Sequence, residues 1–349
     1  MPPACEAIAT YSSRPGFSVD ADDVIIASGC SGAVELVMTA LVDQGDNILV
    51  PSPGFPLYQV MIDSLGGVTK HYPLIADQGW ECDIAAMEAL IDSRTRAILV
   101  NNPSNPCGAN YSRKHCEAVA ALARKYSLPI IADEIYAGIV FSEEGFTPMN
   151  VCSGDVPVIS LGGLAKEFCV PGWRVGWVVV HDRDGRLTDI KTGIKQLTQL
   201  IVGANSIVQA CIPRVLTPAA GSDDEKSLAE YAEKYVNLLS SNAKVCVAEG
   251  AKSDALEVLE PQGAMYAMVR VSLDKLEGVK DDTDFAAQLL QEENLFVLPG
   301  SCFGISGFVR ILTCPSAEVI QEAMERMNAF CARKAGKGRE HESNKRKHE

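Results

Sequence analysis

The sequence lacks the features that mark membrane-spanning and nucleic-acid-binding proteins. No apolar run approaches the roughly 20 residues that a membrane-spanning helix needs. The first residues have neither the basic nor the apolar region of a signal peptide. The formal net charge is −14, whereas a nucleic-acid-binding surface needs an excess of Lys and Arg. We therefore expect a soluble protein that binds neither membranes nor nucleic acids.

Metal-binding patterns are also missing. The twelve cysteines are irregularly spaced without a C-x-x-C pair, and the five histidines are scattered. Cysteines in this arrangement are typical of reduced thiols in a reducing compartment. The sequence therefore predicts no metal site and a cytoplasmic location, or a mitochondrial one if a targeting presequence precedes Met1.

What the sequence does contain is an alternation of short β-rich runs with segments of helical period. The predicted strands lie at residues 24–27, 47–51, 97–101, 129–132, 156–161 and 175–181. Helical segments such as 33–42 and 112–126 lie between several of them, with Ser112 as a candidate N-cap. This alternation indicates an α/β fold with a mainly parallel sheet covered by helices on both faces. Ligands of such sheets bind at the carboxyl ends of the strands.

The pattern changes after residues 186–216, which are predicted to be largely helical. Beyond them, helices alternate with more polar strands, predicted at residues 264–271, 295–298 and 308–313. A last helix carries one apolar stripe, formed by Val319, Ile320, Ala323, Met324, Met327 and Phe330. These features favour a second, smaller α+β domain.

The predicted organisation is therefore two domains and a tail. The large domain comprises residues 19–218. The small domain comprises residues 1–18 and 219–334, with its N-terminal part expected to be incomplete. Residues 335–349 have almost no apolar side chains and are predicted to be a disordered tail.

A Gly-rich turn, Ser28-Gly29-Cys30-Ser31-Gly32, joins the first predicted strand to the helix that follows it. Backbone N–H groups at the start of a helix, with a hydroxyl beside them, bind phosphate. The alternative is an ordinary turn in which Ser31 is the N-cap. The residues of this turn alone do not separate the two interpretations.

Two further polar motifs follow predicted strands. Asn105, in N-N-P-S-N-P-C-G, either donates to an oxygen of a ligand or belongs to a plain turn. Asp133, in A-D-E-I-Y, ends an apolar strand, and a buried carboxylate needs a partner. A protonated pyridine nitrogen would be such a partner, and so would the start of the next helix.

The most specific motif is S-L-G-G-L-A-K, which ends at Lys166 and is followed by P-G-W-R-V-G with Arg174. A lone lysine is usually a solvated surface residue, but Lys166 follows an apolar strand and a glycine pair. A lysine near cationic and phosphate groups can titrate near neutral pH and form an imine. The fixed donors of Arg174 suit a phosphate.

Taken together, the motifs resemble those of the fold type I aminotransferases, which depend on pyridoxal 5'-phosphate (PLP). The resemblance rests on K-x7-R-x-G at Lys166 and Arg174, preceded by N-P-x-G and D-E-x-Y, and it extends over about residues 7–333. The sequences of residues 101–108, 162–166 and 170–177 are most similar to those of the tyrosine aminotransferase branch. The fold that it implies is a large PLP-binding domain plus a smaller α+β domain.

The resemblance also implies catalytic roles. Lys166 would form a Schiff base with PLP and then move the proton that transamination shifts. Asp133 would pair with the pyridine nitrogen and keep the ring cationic. Asn105 and Tyr136 would hydrogen-bond to the 3-oxygen of the ring.

Further roles follow from the same resemblance. Cys30, Ser31 and Arg174 would hold the phosphate, and Phe55 would stack on the ring. Arg310 is a charged residue inside the apolar run F-V-R-I-L. It resembles the arginine that binds the α-carboxylate of the substrate in this family. From the residues alone, a structural Asp or Glu would serve equally well as the partner of Arg310.

The implied activity is transfer of an amino group from tyrosine, or a related aromatic amino acid, to a 2-oxo acid such as 2-oxoglutarate. The active form would be a homodimer. Alternatives within the same fold are an alanine or kynurenine aminotransferase and a C–S lyase. Relatives also have a segment before the position of Met1, so a truncated and inactive member of the family is a further hypothesis.

Overall fold

The computed structural model describes residues 1–335, which fall into two compact units. The first unit comprises Met1–Asn105, Ala109–Val236 and Gln262–Ala264. The second comprises Pro106–Gly108, Asn237–Pro261 and the described residues from Met265 onward. Apart from Ala335, the tail predicted at residues 335–349 lies outside the described residues.

The first unit is built on an eight-stranded mixed sheet. Its strands are β1 (Val24–Ser28), β2 (Asn47–Ser52), β3 (Val68–Ile75), β4 (Glu81–Cys82), β5 (Thr95–Asn101), β6 (Ile130–Asp133), β7 (Val158–Gly163) and β8 (Val175–His181). Their order is β1-β8-β7-β6-β5-β2-β3-β4. The neighbours from β7 to β3 pair in parallel, whereas β8 is antiparallel to β7 and β1, and β4 is antiparallel to β3. The predicted α/β fold with a mainly parallel sheet is confirmed.

Helices follow most of these strands. They are α1 (Pro2–Ser12), α2 (Gly29–Leu41), α3 (Leu57–Ser64), α4 (Ile84–Leu90), α5 (Arg113–Lys125), α6 (Met149–Cys152), α7 (Thr188–Leu197), α8 (Ser206–Leu216) and α9 (Asp223–Gly250). The residues of α9 belong to both units. Ser112 caps α5 as predicted, because its Oγ accepts a hydrogen bond from the N–H of His115 at 3.2 Å. Within residues 1–335, no helix combines the length and the apolar character needed to cross a bilayer.

Strand β8 illustrates why helices cover both faces of the sheet. Val178 and Val180 belong to an apolar core that includes residues of α2 and α7. Their neighbours Trp177 and Val179 belong to a second core that includes residues of α1 and α8. Because successive side chains of a strand point to opposite faces, this strand buries apolar groups on both sides.

The structure rules out one of the two interpretations of the Gly-rich turn and refines the prediction for the segment after β8. Helix α2 begins at Gly29, so Ser31 lies inside its first turn and is not the N-cap. The segment 186–216 is largely helical, as predicted, but it forms two helices, α7 and α8, because residues 198–205 do not continue the helix between them.

The second unit contains a four-stranded antiparallel sheet and two further helices. The elements are β9 (Leu256–Leu259), β10 (Tyr266–Val271), α10 (Asp282–Glu293), β11 (Leu298–Pro299), β12 (Phe308–Leu312) and α11 (Ala317–Lys334), and the strand order is β11-β12-β10-β9. Phe285 of α10 packs edge-on against Phe330 of α11, with 5.4 Å between ring centroids. This unit confirms the predicted smaller α+β part.

The apolar stripe predicted for α11 is only partly buried. Ile320, Met324, Met327 and Phe330 are buried, whereas Val319 is 52% exposed. Val319 instead lines an open apolar groove on this unit.

Candidate active site

The polar motifs predicted from the sequence meet at the carboxyl ends of β5, β6 and β7. Asn101, the last residue of β5, pairs in register with Asp133, the last residue of β6. The Asn101 amide donates to the backbone oxygen of Asp133 at 3.1 Å, and Asn101 Oδ1 accepts from the N–H of Asn105 at 2.8 Å. These hydrogen bonds give a reason for an asparagine at this position. The Asn101 side chain satisfies backbone groups at the point where the chain leaves the sheet.

Asp133 is the buried centre of this edge. Its Oδ2 accepts a hydrogen bond from the Tyr58 hydroxyl at 2.6 Å. Its Oδ1 accepts from the N–H of Ile135 at 3.2 Å and lies 3.7 Å from the thiol of Cys30. Burial raises the pKa of Asp133, whereas these hydrogen bonds and the charge of Lys166 oppose that rise. Three hydrogen bonds thus fix the position of a buried carboxyl group at the carboxyl end of β6.

Asp133 does not cap the next helix, which was the alternative role considered for it. The next helix is α6, which begins at Met149. The Met149 N–H donates instead to Oε1 of Glu134 at 2.7 Å.

Lys166 lies in the turn that follows β7, beside Tyr136. Its Nζ is 5.8 Å from the centroid of the Tyr136 ring. Tyr136 is buried, and Lys166 is half-buried. The positive charge of Lys166 is among the effects that lower the pKa values of Asp133 and Cys30, so these three groups share one electrostatic environment.

The start of α2 and the side chain of Arg174 lie beside Asp133, Cys30 and Lys166. Together they form a positively charged region, which we call the cationic corner. Arg174 Nη2 donates to the carbonyl of Ser28, and the N–H of Gly29 donates to the carbonyl of Arg174 at 2.9 Å. Gly29 has φ +72°, and a Cβ at this position would overlap the Arg174 guanidinium. The first N–H groups of a helix lack partners within the helix, so Cys30 and Ser31 present donors beside an exposed guanidinium.

Phe55 and Tyr58 approach this edge from the segment that follows β2. The two rings pack edge-on with 5.6 Å between centroids. Phe55 is half-buried at the turn before α3, whereas Tyr58 is buried within α3. Sequence reasoning named Phe55 but missed Tyr58, although one helical turn separates them and a buried tyrosine needs a hydrogen-bond partner.

Comparison with known proteins decides the family. The family model "Aminotransferase class I and II" matches residues 2–327. The chain belongs to this family. It is 42% identical over 330 residues to the tyrosine aminotransferase of Dictyostelium discoideum, covering 94% of this chain and 78% of the relative. It is 38% identical over 327 residues to that of Homo sapiens, covering 93% and 70%.

Solved structures agree with this assignment. The crystal structure of tyrosine aminotransferase from Leishmania infantum superposes with a TM-score of 0.88 at 37% identity, covering 96% of this chain and 82% of that chain. Alanine aminotransferase from Pyrococcus furiosus gives a TM-score of 0.89 at 29% identity, covering 95% and 82%. The chain therefore has the fold type I aminotransferase architecture and is an aminotransferase.

Enzymes of this family are PLP-dependent in general, and the residues described above fit that cofactor. Arg174 and the start of α2 suit a phosphate, because both offer N–H donors and positive charge. Buried Asp133 suits a cationic ring nitrogen, because a buried carboxylate is stabilised by a partner of opposite charge. The half-buried amine of Lys166 suits an aldehyde.

Arg310 lies in the second unit of this aminotransferase, on the central strand β12. Its guanidinium carbon is 4.3 Å from the centroid of the Tyr266 ring and 4.7 Å from that of Phe303. Two aromatic faces thus hold the plane of the guanidinium by cation–π contacts. Arg310 was predicted from the sequence as a site residue, whereas its contacts with Tyr266 and Phe303 were not.

Proposed function

We propose that this aminotransferase moves the amino group of tyrosine, or of a related aromatic amino acid, to a 2-oxo acid such as 2-oxoglutarate, with PLP bound at Lys166. The observation that carries the proposal is 38–42% identity to several tyrosine aminotransferases over more than nine-tenths of the chain. The grouping of Lys166 with Asp133 and the cationic corner supports the same chemistry.

The cofactor, when bound, supplies the electron sink that stabilises negative charge at the α-carbon of the amino acid. Lys166 Nζ would take the proton from that carbon once the amino group of the substrate has replaced it on the cofactor, because this amine lies beside Tyr136 and the buried Asp133. Asp133 holds a proton on the ring nitrogen, since a buried carboxylate stabilises an adjacent cation. Tyr58 keeps the Asp133 carboxylate in place by donating to Oδ2.

Other residues bind and orient. The phosphate is bound by the guanidinium of Arg174, the Ser31 hydroxyl and the backbone N–H groups of Ser31 and Cys30. Phe55 covers one face of the ring. Asn105 and Tyr136 donate to the ring's 3-oxygen.

Arg310 binds the α-carboxylate of each substrate in this proposal. A guanidinium offers two parallel N–H donors that match the two oxygens of a carboxylate. The rings of Tyr266 and Phe303 fix its plane and so limit the directions from which a carboxylate can approach.

The active form in this proposal is a homodimer. Leu200, Val202 and Ile207 are 77–80% exposed, although apolar side chains of this size are normally covered. They flank Gly203, which lies against the carbonyl of Ile26 in β1, the strand that leads into the phosphate-binding turn. The predicted cytoplasmic location stays a prediction.

The dimer is tested by sedimentation of the wild-type chain and of Val202→Asp. A charge at the centre of the patch should convert a dimer to a monomer, while Val68→Asp, at another exposed valine, should leave the dimer intact. A wild-type monomer, or a dimer that survives Val202→Asp, would contradict this interface.

The substrate is tested by amino transfer from tyrosine, alanine, kynurenine and cystine to 2-oxoglutarate. We expect tyrosine to give the highest kcat/KM, with 4-hydroxyphenylpyruvate as the product. A preference for alanine or kynurenine, or pyruvate release from cystine, would reassign the chain to the corresponding alternative. If the cofactor binds covalently but no donor reacts, the hypothesis of an inactive family member replaces the proposal.

A further inference from the structure

Glu167, the residue that follows Lys166, has no role in the chemistry proposed above. It is half-buried, and burial raises the pKa of its carboxyl group above the ordinary value. A carboxylate that loses water in this way needs hydrogen-bond donors in exchange. The structure supplies two such donors from different parts of the first unit.

The first donor is Tyr11 of α1. Its hydroxyl donates to Oε2 of Glu167 at 2.7 Å, across 156 positions of the sequence. Burial and the neighbouring Glu167 carboxylate raise the pKa of Tyr11, so this hydroxyl keeps its proton at neutral pH. The rings of Tyr11 and Trp177 in β8 also form a T-shaped pair, with 6.1 Å between their centroids, which holds the tyrosine against the sheet.

The second donor is the backbone N–H of Gly138. A Cβ at position 138 would overlap the Glu167 carboxyl group, so this close approach requires glycine. Gly138 is two residues after Tyr136, whose ring is 5.8 Å from Lys166 Nζ. Glu167 therefore connects the turn that carries Lys166 to the turn that carries Tyr136.

The backbone of the lysine turn has a third attachment. The Tyr231 hydroxyl donates to the carbonyl oxygen of Glu167 at 3.3 Å. This attachment matters because a lysine side chain has four flexible bonds and no fixed geometry of its own. The reach of Lys166 Nζ is therefore set by where this turn is held.

We propose that Glu167 is a positioning residue for Lys166. By accepting hydrogen bonds from Tyr11 and Gly138, its carboxylate holds the lysine turn at a fixed distance from Tyr136 and so pre-positions the amine for covalent reaction with the cofactor. The inference rests on the proposed function, in which Lys166 forms that linkage. In this role Glu167 acts through Lys166 and is not itself a catalytic residue.

The rate at which the cofactor links to Lys166 tests this role directly. Cofactor-free protein is mixed with PLP, and the visible absorption band of the linked cofactor is followed by stopped flow. Tyr11→Phe removes one hydroxyl, and we expect it to slow linkage by about threefold to tenfold, as expected for the loss of one hydrogen bond. Glu167→Gln keeps an oxygen acceptor and should give a rate between those of the wild type and Glu167→Ala.

The matched control is Tyr126→Phe. The Tyr126 hydroxyl also donates to a glutamate, Oε1 of Glu88 at 2.7 Å, but on the exposed surface. We expect this variant to link PLP at the wild-type rate. Unfolding temperatures of all variants are measured in parallel, because a purely structural role would lower them without changing the linkage rate under folded conditions.

The outcomes separate the two proposals. A normal wild-type band that is lost in Lys166→Ala, together with a wild-type rate in Tyr11→Phe, would overturn the positioning role alone. Absence of a Lys166-dependent band from the wild type would overturn the proposed function and this inference with it. If Glu167→Ala does not fold, the rate of Tyr11→Phe decides the question by itself.

Discussion

The charged residues proposed for the site have different surroundings in the two units. In the first unit, Asp133 accepts hydrogen bonds from Tyr58, Cys30 and Ile135, which come from three separate segments. In the second unit, Arg310 lies between the faces of Tyr266 and Phe303. Hydrogen bonds fix the positions of individual atoms of a charged group, whereas aromatic faces fix the plane of a guanidinium.

This difference matches the tasks proposed for the two charges. A carboxylate that holds one ring nitrogen through a whole reaction benefits from a single, fully fixed position. An arginine that must bind and release two different carboxylate substrates needs N–H groups directed to a ligand. Substitutions in each unit test whether the two residues have these different tasks.

The largest effect is expected for Asp133→Asn, which keeps the size of the side chain and removes its charge. Breaking a buried charge pair costs about 3 kcal/mol or more, so kcat/KM should fall by about 100-fold or more. Steady-state amino transfer measures the loss, and far-ultraviolet circular dichroism checks the fold. Activity within a few-fold of the wild type would show that no cation depends on this carboxylate.

The next effect is expected for Arg310→Lys in the second unit. Lysine keeps the charge but lacks the planar fork, so KM for both the amino and the oxo substrate should rise by about 10- to 100-fold, with a smaller change in kcat. Arg270→Lys is the matched control, because Arg270 lies on the adjacent strand β10, 5.5 Å from the Phe308 ring, and pairs with Glu257. An equal rise of KM in both variants would argue against a specific carboxylate site.

A smaller effect is expected for Tyr58→Phe, which removes one donor from Asp133. Hydrogen bonds to charged groups contribute about 1.5–3 kcal/mol, so a loss of about tenfold or more in kcat/KM is expected. The pKa of Asp133 should also rise further, because the Tyr58 hydrogen bond now opposes the effect of burial. The acid limb of the pH–rate profile should therefore move to higher pH, and an unmoved limb would contradict the arrangement.

The last prediction concerns stability rather than catalysis, and it involves Glu134, the neighbour of Asp133. Burial raises the pKa of Glu134 from its ordinary 4.5 to about 7. Between these values the folded state binds more protons than the unfolded state, so stability falls as pH rises, by up to about 1.4 kcal/mol per pH unit. Glu134→Gln does not titrate, so its advantage in unfolding temperature should grow through this window and level off above it.

The control for this comparison is Glu230→Gln, at an exposed glutamate that pairs with Lys234. Its unfolding temperature should differ from that of the wild type by the same small amount throughout the window. A difference between Glu134→Gln and the wild type that does not vary with pH would contradict the raised pKa of Glu134.

Much of the sheet could be predicted because its central strands are continuous apolar runs. The strand predicted at residues 175–181 is β8 residue for residue, and that predicted at 47–51 ends one residue before β2 does. Strand β3 was missed because Val68–Ile75 contains Lys70, His71 and Pro73 and has several exposed positions. Near the edge of a sheet, hydrogen bonding to a neighbour can form a strand without an apolar pattern.

The proposed site residues were found because motifs mark the places where strands end. Their partners were not, because these contacts join distant segments. Tyr58 is 75 positions from Asp133, and Tyr11 is 156 positions from Glu167. Spacing along one sequence carries no information about such pairs, whereas a local cap such as Ser112 is visible within a few residues.

The proposed covalent linkage between Lys166 and the cofactor can be tested directly. The protein is incubated with PLP, treated with borohydride to make the linkage permanent, digested and mapped by mass spectrometry. We predict that the modification lies on Lys166 and that Lys166→Ala is not specifically labelled. Labelling of another lysine, or equal labelling of Lys166→Ala and the wild type, would contradict the account.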